Sequence, residues 1–297
     1  MKFRTLLSKL LYPFFYLKVQ RELSRTDSIL AIYGHDQKKE PFELLVRWLV
    51  KHDYQFITPQ ELYLYVMGEK LQNGRFVWLS FDDGWKSNYD NVLPVLKQYG
   101  IPATVFVATK GVEDGYYWFM RAFQNRVSPY YSEVGELWEM PNKDRVEIID
   151  KLPAYSGERE TMNRRELQMM TDSGLVNWGN HTHDHVMSNN CTTEELIREI
   201  NKCSSKMKEY VGDDCSFIYS YPNGNLDPKS AELIQNIGFK MAATVKIGRI
   251  YPGDNPFDLK RNEFKNGCLE ENILQIFGLW TPFFDKIKKI LIIRDKK

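Results

Sequence analysis

The strongest constraint on this chain is an alternation of short, wholly apolar runs with helical stretches, each run ending in a polar or glycine-containing cluster. Residues 29–33 (ILAIY), 76–81 (FVWLSF), 103–108 (ATVFVA), 175–179, 216–221 and 239–245 read as buried strands. Helical periodicity lies between them, at about 41–52 with Phe42, Leu45 and Leu49 on one side, at about 59–68, up to Tyr99, and at about 163–172 and 228–237. Pro94 is tolerable only if its helix begins near Asp90. Thr58-Pro59 opens one helix, and the box Thr192-x-x-Glu195 opens another that ends at Gly212. Strands without a polar face, separated by helices, mean parallel β/α units, and pattern alone leaves open whether the sheet closes. Chemistry in such folds collects beyond the C-terminal strand ends. Three polar clusters fall there: Asp82-Asp83-Gly84, His181 to His185, and Tyr221-Pro222-Asn223-Gly224.

The chain has only five histidines, and three stand at 181, 183 and 185. Two His four residues apart, at 181 and 185, can converge on one ion, and a carboxylate from another strand completes an open three-ligand site of catalytic type. Asp82 and Asp83 suit a division of labour, one binding metal and its neighbour removing a proton from water. Adjacent strand residues point opposite ways, so both can serve only where the strand has ended, and Gly84 supplies that turn. Taken alone, Asp82-Asp83-Gly84 reads as a turn, and for the His cluster a surface His-rich loop is a fair competitor. Together at strand ends they read as a metal site.

These residues carry a resemblance. Ser80-Phe81-Asp82-Asp83-Gly84, the downstream 101–106 (IPATVF) and His181-Thr182-His183-Asp184-His185 resemble the first two motifs of the polysaccharide deacetylase family (carbohydrate esterase family 4, NodB homology domain). Residues 217–224 (FIYSYPNG) are similar to its third motif, and Ile32-Tyr33-Gly34-His35 to the start of the exopolysaccharide branch with one residue inserted. The similarity runs over about residues 29–265, weakest across 111–160. It implies a distorted (β/α) barrel and metal-dependent hydrolysis of an N-acetyl, less often O-acetyl, group on a sugar. By matching position, Asp83, His181 and His185 are the metal ligands, for a divalent ion with zinc first, and Asp82 is the general base. Thr182 would hold the metal loop, and the backbone N–H near Asn223 would help stabilise the oxyanion. His183 falls at a variable position, either exposed or supporting the ligands.

Two departures matter. Where many relatives carry an Arg two residues before the third-motif Pro, this chain has Ser220, and Arg261 in Leu259-Lys260-Arg261 matches a late Arg of the exopolysaccharide branch instead. No His follows His185, so the usual late His that protonates the leaving amine is absent. His35 replaces it, or Asp82 serves as base and acid, or the enzyme is slow or inactive. His35 is preferred because it follows a strand and so lies at the same end.

The remainder of the chain bounds the setting. Lys plus Arg is 40 against 39 Asp plus Glu, a net charge of +1, which argues against a nucleic-acid partner. The aromatic share of 14% is compatible with sugar stacking, although aromatics are more often core. Cys191, Cys203, Cys215 and Cys268 show no metal spacing and read as reduced thiols, consistent with a cytoplasmic location. The expected division is a basic-apolar segment at 1–28, a deacetylase-type domain at 29–268 with an insertion at 111–160, and a basic-apolar helix or tail at 269–297. Leu6, Leu7, Leu10, Leu11, Phe14 and Phe15 at one end, and Trp280, Phe283, Phe284, Ile287, Ile290 and Leu291 at the other, suggest peripheral contact with the inner membrane face. Packing on the domain is the equal alternative. The expected substrate is an N-acetylated glycan or lipid-linked sugar. The competing functions are hydrolysis of another C–N amide on the same fold and glycan binding without catalysis.

Overall fold

Eight parallel strands build one sheet in the computed structural model, which describes residues 2–71, 73–126, 137–213, 215–281 and 283. They are β1 (Ile29–Gly34), β2 (Tyr54–Phe56), β3 (Arg75–Phe81), β4 (Ala103–Val107), β5 (Val176–Asn180), β6 (Ile218–Ser220), β7 (Met241–Ala243) and β8 (Asn262–Glu263). Their order is β7-β6-β5-β4-β3-β1-β8, with β2 beside β3. One edge of β3 pairs with β1 along its length, while the rest of its pairing is divided between β2 at Arg75–Val77 and β4 at Ser80–Phe81. A parallel bridge, Ala243 to Leu259, and the Arg261 amide donating to the Lys246 carbonyl carry β7 round towards β8. The result is a curled half-barrel of parallel strands flanked by helices: the alternation implied the parallel β/α units, and the family resemblance the barrel.

The apolar runs lack a polar face because both faces of each strand are buried. Leu30, Ile32, Val77, Leu79, Val105 and Val107 pack outward under the helices, whereas Ile29, Ala31, Trp78 and Phe106 belong to a separate core with Ile218 and Met241. Helix starts follow local chemistry: Thr58, Asn163 and Thr192 each close a capping box with the Glu three residues on. Pro94 sits in the first turn of a helix, Leu93–Tyr99, entered through a wide turn at Asn88–Val92. The two strands that sequence pattern missed, β2 and β8, are three and two residues long and carry polar residues.

Residues 111–160 leave the barrel and return beside their point of departure, the Glu160 amide donating to the Gly115 carbonyl at 2.9 Å. Within them lie the helices Trp118–Gln124 and Asn142–Lys151. At the N-terminus, helix Lys2–Leu23 buries Phe15, Val19 and Leu23 and leaves Leu6, Leu10, Phe14 and Leu17 exposed. Its Phe15 meets Phe283 edge to face. Phe284, Ile287, Ile290 and Leu291 lie outside the described residues. Among the described residues, no helix is long and apolar enough to cross a membrane.

Candidate active site

Three strand ends deliver the side chains of interest. β3 ends into Asp82 and Asp83, β5 into His181 to His185, and β6 into the turn Pro222–Gly224. Asp83, Thr182 and His185 adopt left-handed backbone (φ 75°, 64° and 48°), which costs a residue with a side chain of order 1–3 kcal/mol and persists only where surroundings enforce it. The enforcement is visible. The Ala108 amide donates to the Asp83 carbonyl, the Thr182 amide donates to Asn180 Oδ1, and Thr182 Oγ1 accepts from the Val186 amide across the loop.

Asp83, His181 and His185 are all buried, and their ligating atoms lie within 4.8 Å of one another. Asp83 Oδ1 stands 3.2 Å from His181 Nε2 and 3.3 Å from His185 Nε2, yet is a buried oxygen that accepts no hydrogen bond among the described residues. His181 Nδ1 lies 2.8 Å from the Ser220 carbonyl, which can only accept, so Nδ1 carries the proton and Nε2 presents its lone pair inward. One orphaned carboxylate oxygen and two convergent imidazole nitrogens fit a divalent cation. Burial works to raise the Asp83 pKa; in the form of the site where the two imidazoles carry a proton on Nε2, their hydrogen bonds and positive charge overcome this and hold it well below the ordinary carboxylate range.

Asp82 lies beside this cluster and belongs to a different network. Arg261 Nη1 donates to Oδ1 and Nη2 to Oδ2, both at 2.8 Å. The same guanidinium donates to Ser80 Oγ, Ser220 Oγ and the Thr244 carbonyl, and it lies 4.5 Å over the Tyr33 ring. A lone loop Arg is ordinarily solvated; Arg261, the candidate for orienting Asp82, is buried completely. Ser220, where many relatives carry the cation, here accepts from it. Burial pushes the Asp82 pKa up, and the Arg261 charge, with His181 and the Arg261 hydrogen bonds, brings it below the ordinary value.

The other expected residues are placed less tightly. His35 follows β1 at the same end of the sheet, is 39% exposed and lies 3.9 Å from Glu263; no hydrogen bond joins it to Asp82 or the triad among the described residues. Asn223 is exposed in left-handed backbone, with the amides of Gly224 and Asn225 already donating to Tyr221 and Pro222 carbonyls. His183 is buried, not exposed, held by Thr109 Oγ1, and burial lowers its pKa to about 4.

Sequence reading missed the walls of the site. Trp85 Nε1 donates to Asp83 Oδ2 at 2.7 Å. Phe119 and Trp138, from the 111–160 stretch, set their rings 5.5 and 5.9 Å from His185. Arg145, buried and lying 4.5 Å over Trp118, reaches Asp184, which also pairs with Lys110. Trp85 follows its motif directly and so was findable; the others come from a segment with little periodicity.

Comparison with known proteins agrees with this geometry. A family model described as polysaccharide deacetylase matches residues 69–242, more than half of the chain. Poly-beta-1,6-N-acetyl-D-glucosamine N-deacetylase of Staphylococcus aureus (strain MSSA476) is 25% identical over 263 residues, covering 86% of this chain and 75% of that protein. Among solved structures, Streptococcus pyogenes deacetylase PplD in complex with acetate has a TM-score of 0.62 at 17% identity, covering 84% of this chain and 97% of that one. IcaB from Ammonifex degensii has a TM-score of 0.60 at 21% identity, covering 85% and 97%. At these identities the solved structures show the shared barrel fold, and the family match rests on the motif-bearing span itself. The chain belongs to the polysaccharide deacetylase family.

Proposed function

We propose that this protein is a metal-dependent N-deacetylase of an N-acetylglucosamine-type glycan, either a free exopolysaccharide or a lipid-linked chain. The observation that carries this is the buried triad Asp83, His181 and His185 beside an Asp82 locked to Arg261. The Staphylococcus aureus relative, named for poly-beta-1,6-N-acetyl-D-glucosamine, supports the substrate class. When bound, a divalent cation supplies Lewis-acid polarisation of the acetyl carbonyl and acidifies water. Asp82 takes the proton from the attacking water, and Arg261 keeps it ionised and aimed. The Asn223 backbone N–H stabilises the developing oxyanion. His35, held near Glu263, returns a proton to the leaving amine. Metal analysis with acetate release from N-acetylglucosamine oligomers tests the reading. The unmutated chain releases acetate, Asp83→Asn loses metal, and Asp82→Asn keeps metal while slowing release by about 10²–10⁴-fold. Bound metal without any acetate leaves a glycan-binding protein, and another amide product leaves the alternative hydrolase.

We further propose peripheral contact with the cytoplasmic membrane face through helix Lys2–Leu23. Leu6, Leu10, Phe14 and Leu17 point outward at 59%, 59%, 84% and 80% exposure, and Lys9, Lys18 and Arg21 suit anionic headgroups. Flotation with phosphatidylglycerol vesicles carries the parent chain upward and leaves Phe14→Glu/Leu17→Glu behind. Cofractionation of both with the soluble pool rejects it.

A further inference from the structure

The two histidines of the triad are held by different means. His181 Nδ1 is fixed by the Ser220 carbonyl, whereas His185 Nδ1 is buried and makes no hydrogen bond among the described residues. The backbone of His185 is also left-handed, at φ 48°, a conformation that a β-carbon disfavours and that the surroundings must impose. Whatever imposes it decides where the Nε2 lone pair falls.

The preceding residue, Asp184, is gripped from three directions. Its amide donates to Glu199 Oε2 at 2.7 Å, on helix Thr193–Val211. Its carboxylate lies 3.1 Å from Lys110 Nζ and 3.4 Å from Arg145 Nη2. The His183 carbonyl, just before it, accepts from the Lys110 amide at 2.8 Å.

The two cations are not equivalent. Lys110 is 39% exposed, so water and salt screen its pull, whereas Arg145 is 1% exposed. Arg145 Nη2 also donates to Asn142 Oδ1 at 2.6 Å, and the guanidinium lies 4.5 Å over Trp118. Both its end and its plane are thereby fixed to helices of the 111–160 stretch. Its Nε and Nη1 make no hydrogen bond, and Asp184 is its ion-pair partner among the described residues. Arg145 therefore cannot release Asp184 without leaving a buried cation uncompensated. Trp118, beneath the guanidinium, donates from Nε1 to the His185 carbonyl at 3.5 Å, a second link from the same stretch to the same residue.

We infer that Arg145 is a positioning residue for the triad: through Asp184 it sets the backbone of His185, and so the direction of Nε2, from a helix that contributes no ligand. The inference rests on the metal-site reading above and deepens it.

The test measures zinc affinity of the full chain by competition against a fluorescent chelator, with urea midpoints recorded on the metal-free chains. Arg145→Met is expected to weaken zinc by about 10–100-fold, the usual scale for outer partners of metal ligands. Loss of a positive charge by itself would tighten a cation site, so weakening here reports position and not field. Ile149→Ala is the control, since Ile149 is buried on the same helix among apolar side chains. It lowers the urea midpoint and leaves zinc affinity unchanged. Tighter or unchanged binding in Arg145→Met, or an equal loss in Ile149→Ala, overturns the assignment. If Arg145→Met fails to fold, Arg145→Gln is judged by the same outcomes. If the parent chain takes up no zinc, the metal reading fails, and the histidine ring-proton NMR signals of the metal-free chain judge the positioning separately. The His185 signal moves in Asp184→Asn while that of His181 stays; equal movement of both, or of neither, overturns it.

Discussion

Arg261 holds Asp82 with two hydrogen bonds of 2.8 Å; the guanidinium is wholly buried and the carboxylate nearly so. A bidentate pair of this kind fixes both the charge and the angle of the carboxylate. Since Arg261 comes from the last turn into β8 and Asp82 from the end of β3, the pair also ties together two distant parts of the chain.

Removing the cation leaves a buried carboxylate without compensation. Arg261→Met is expected to destabilise the fold by about 3–5 kcal/mol, measured by urea denaturation near neutral pH. Arg261→Lys recovers little of this because an ammonium cannot make the fork.

The same pair sets a pH dependence. The folded-state pKa of Asp82 is lowered, so its contribution to stability is present above the ordinary carboxylate value of about 3.9 and is lost as pH falls through the depressed one. The acidic limb of kcat/KM that reports Asp82 therefore lies below the ordinary carboxylate range. Arg261→Lys, if folded, moves that limb upward.

Trp85→Phe deletes one hydrogen bond to the Asp83 oxygen that faces away from the histidines. Outer partners of metal ligands are worth about 10–100-fold in metal affinity. Competition against a fluorescent zinc chelator is expected to show a loss in that range with the melting temperature little changed. An unaltered affinity removes Trp85 from the positioning of Asp83.

His35→Ala addresses the leaving-group proton. The expected result is a slower enzyme whose basic limb in the pH–rate profile has moved or vanished. An unchanged profile would assign both proton transfers to Asp82.

Much of this was legible in the chain. Fully apolar runs such as 76–81 announce a parallel strand because the two faces it buries leave no polar alternation, and the motif residues fall where such strands must end. Asp82, Asp83, His181 and His185 were therefore placed by local pattern. Arg261 was nominated by resemblance, yet its burial was invisible, since a single Arg in a loop carries no periodic signal. β2 and β8 escaped because short pairings depend on a neighbour supplied by tertiary structure. Phe119, Trp138 and Arg145 escaped for a related reason: their importance lies in what they touch across the fold.

The excursion from Gly115 to Glu160 is tied at its neck by one backbone hydrogen bond, and Trp85 bridges to Thr161 just beyond it. A neck of that kind lets the interior of a loop change length and composition without disturbing the barrel. Yet Phe119 and Trp138, carried by this loop, also press on His185. The loop and the buried histidine are thereby inherited together: a lineage that remodels the loop also alters the packing around His185, and must restore it to keep that side chain in place.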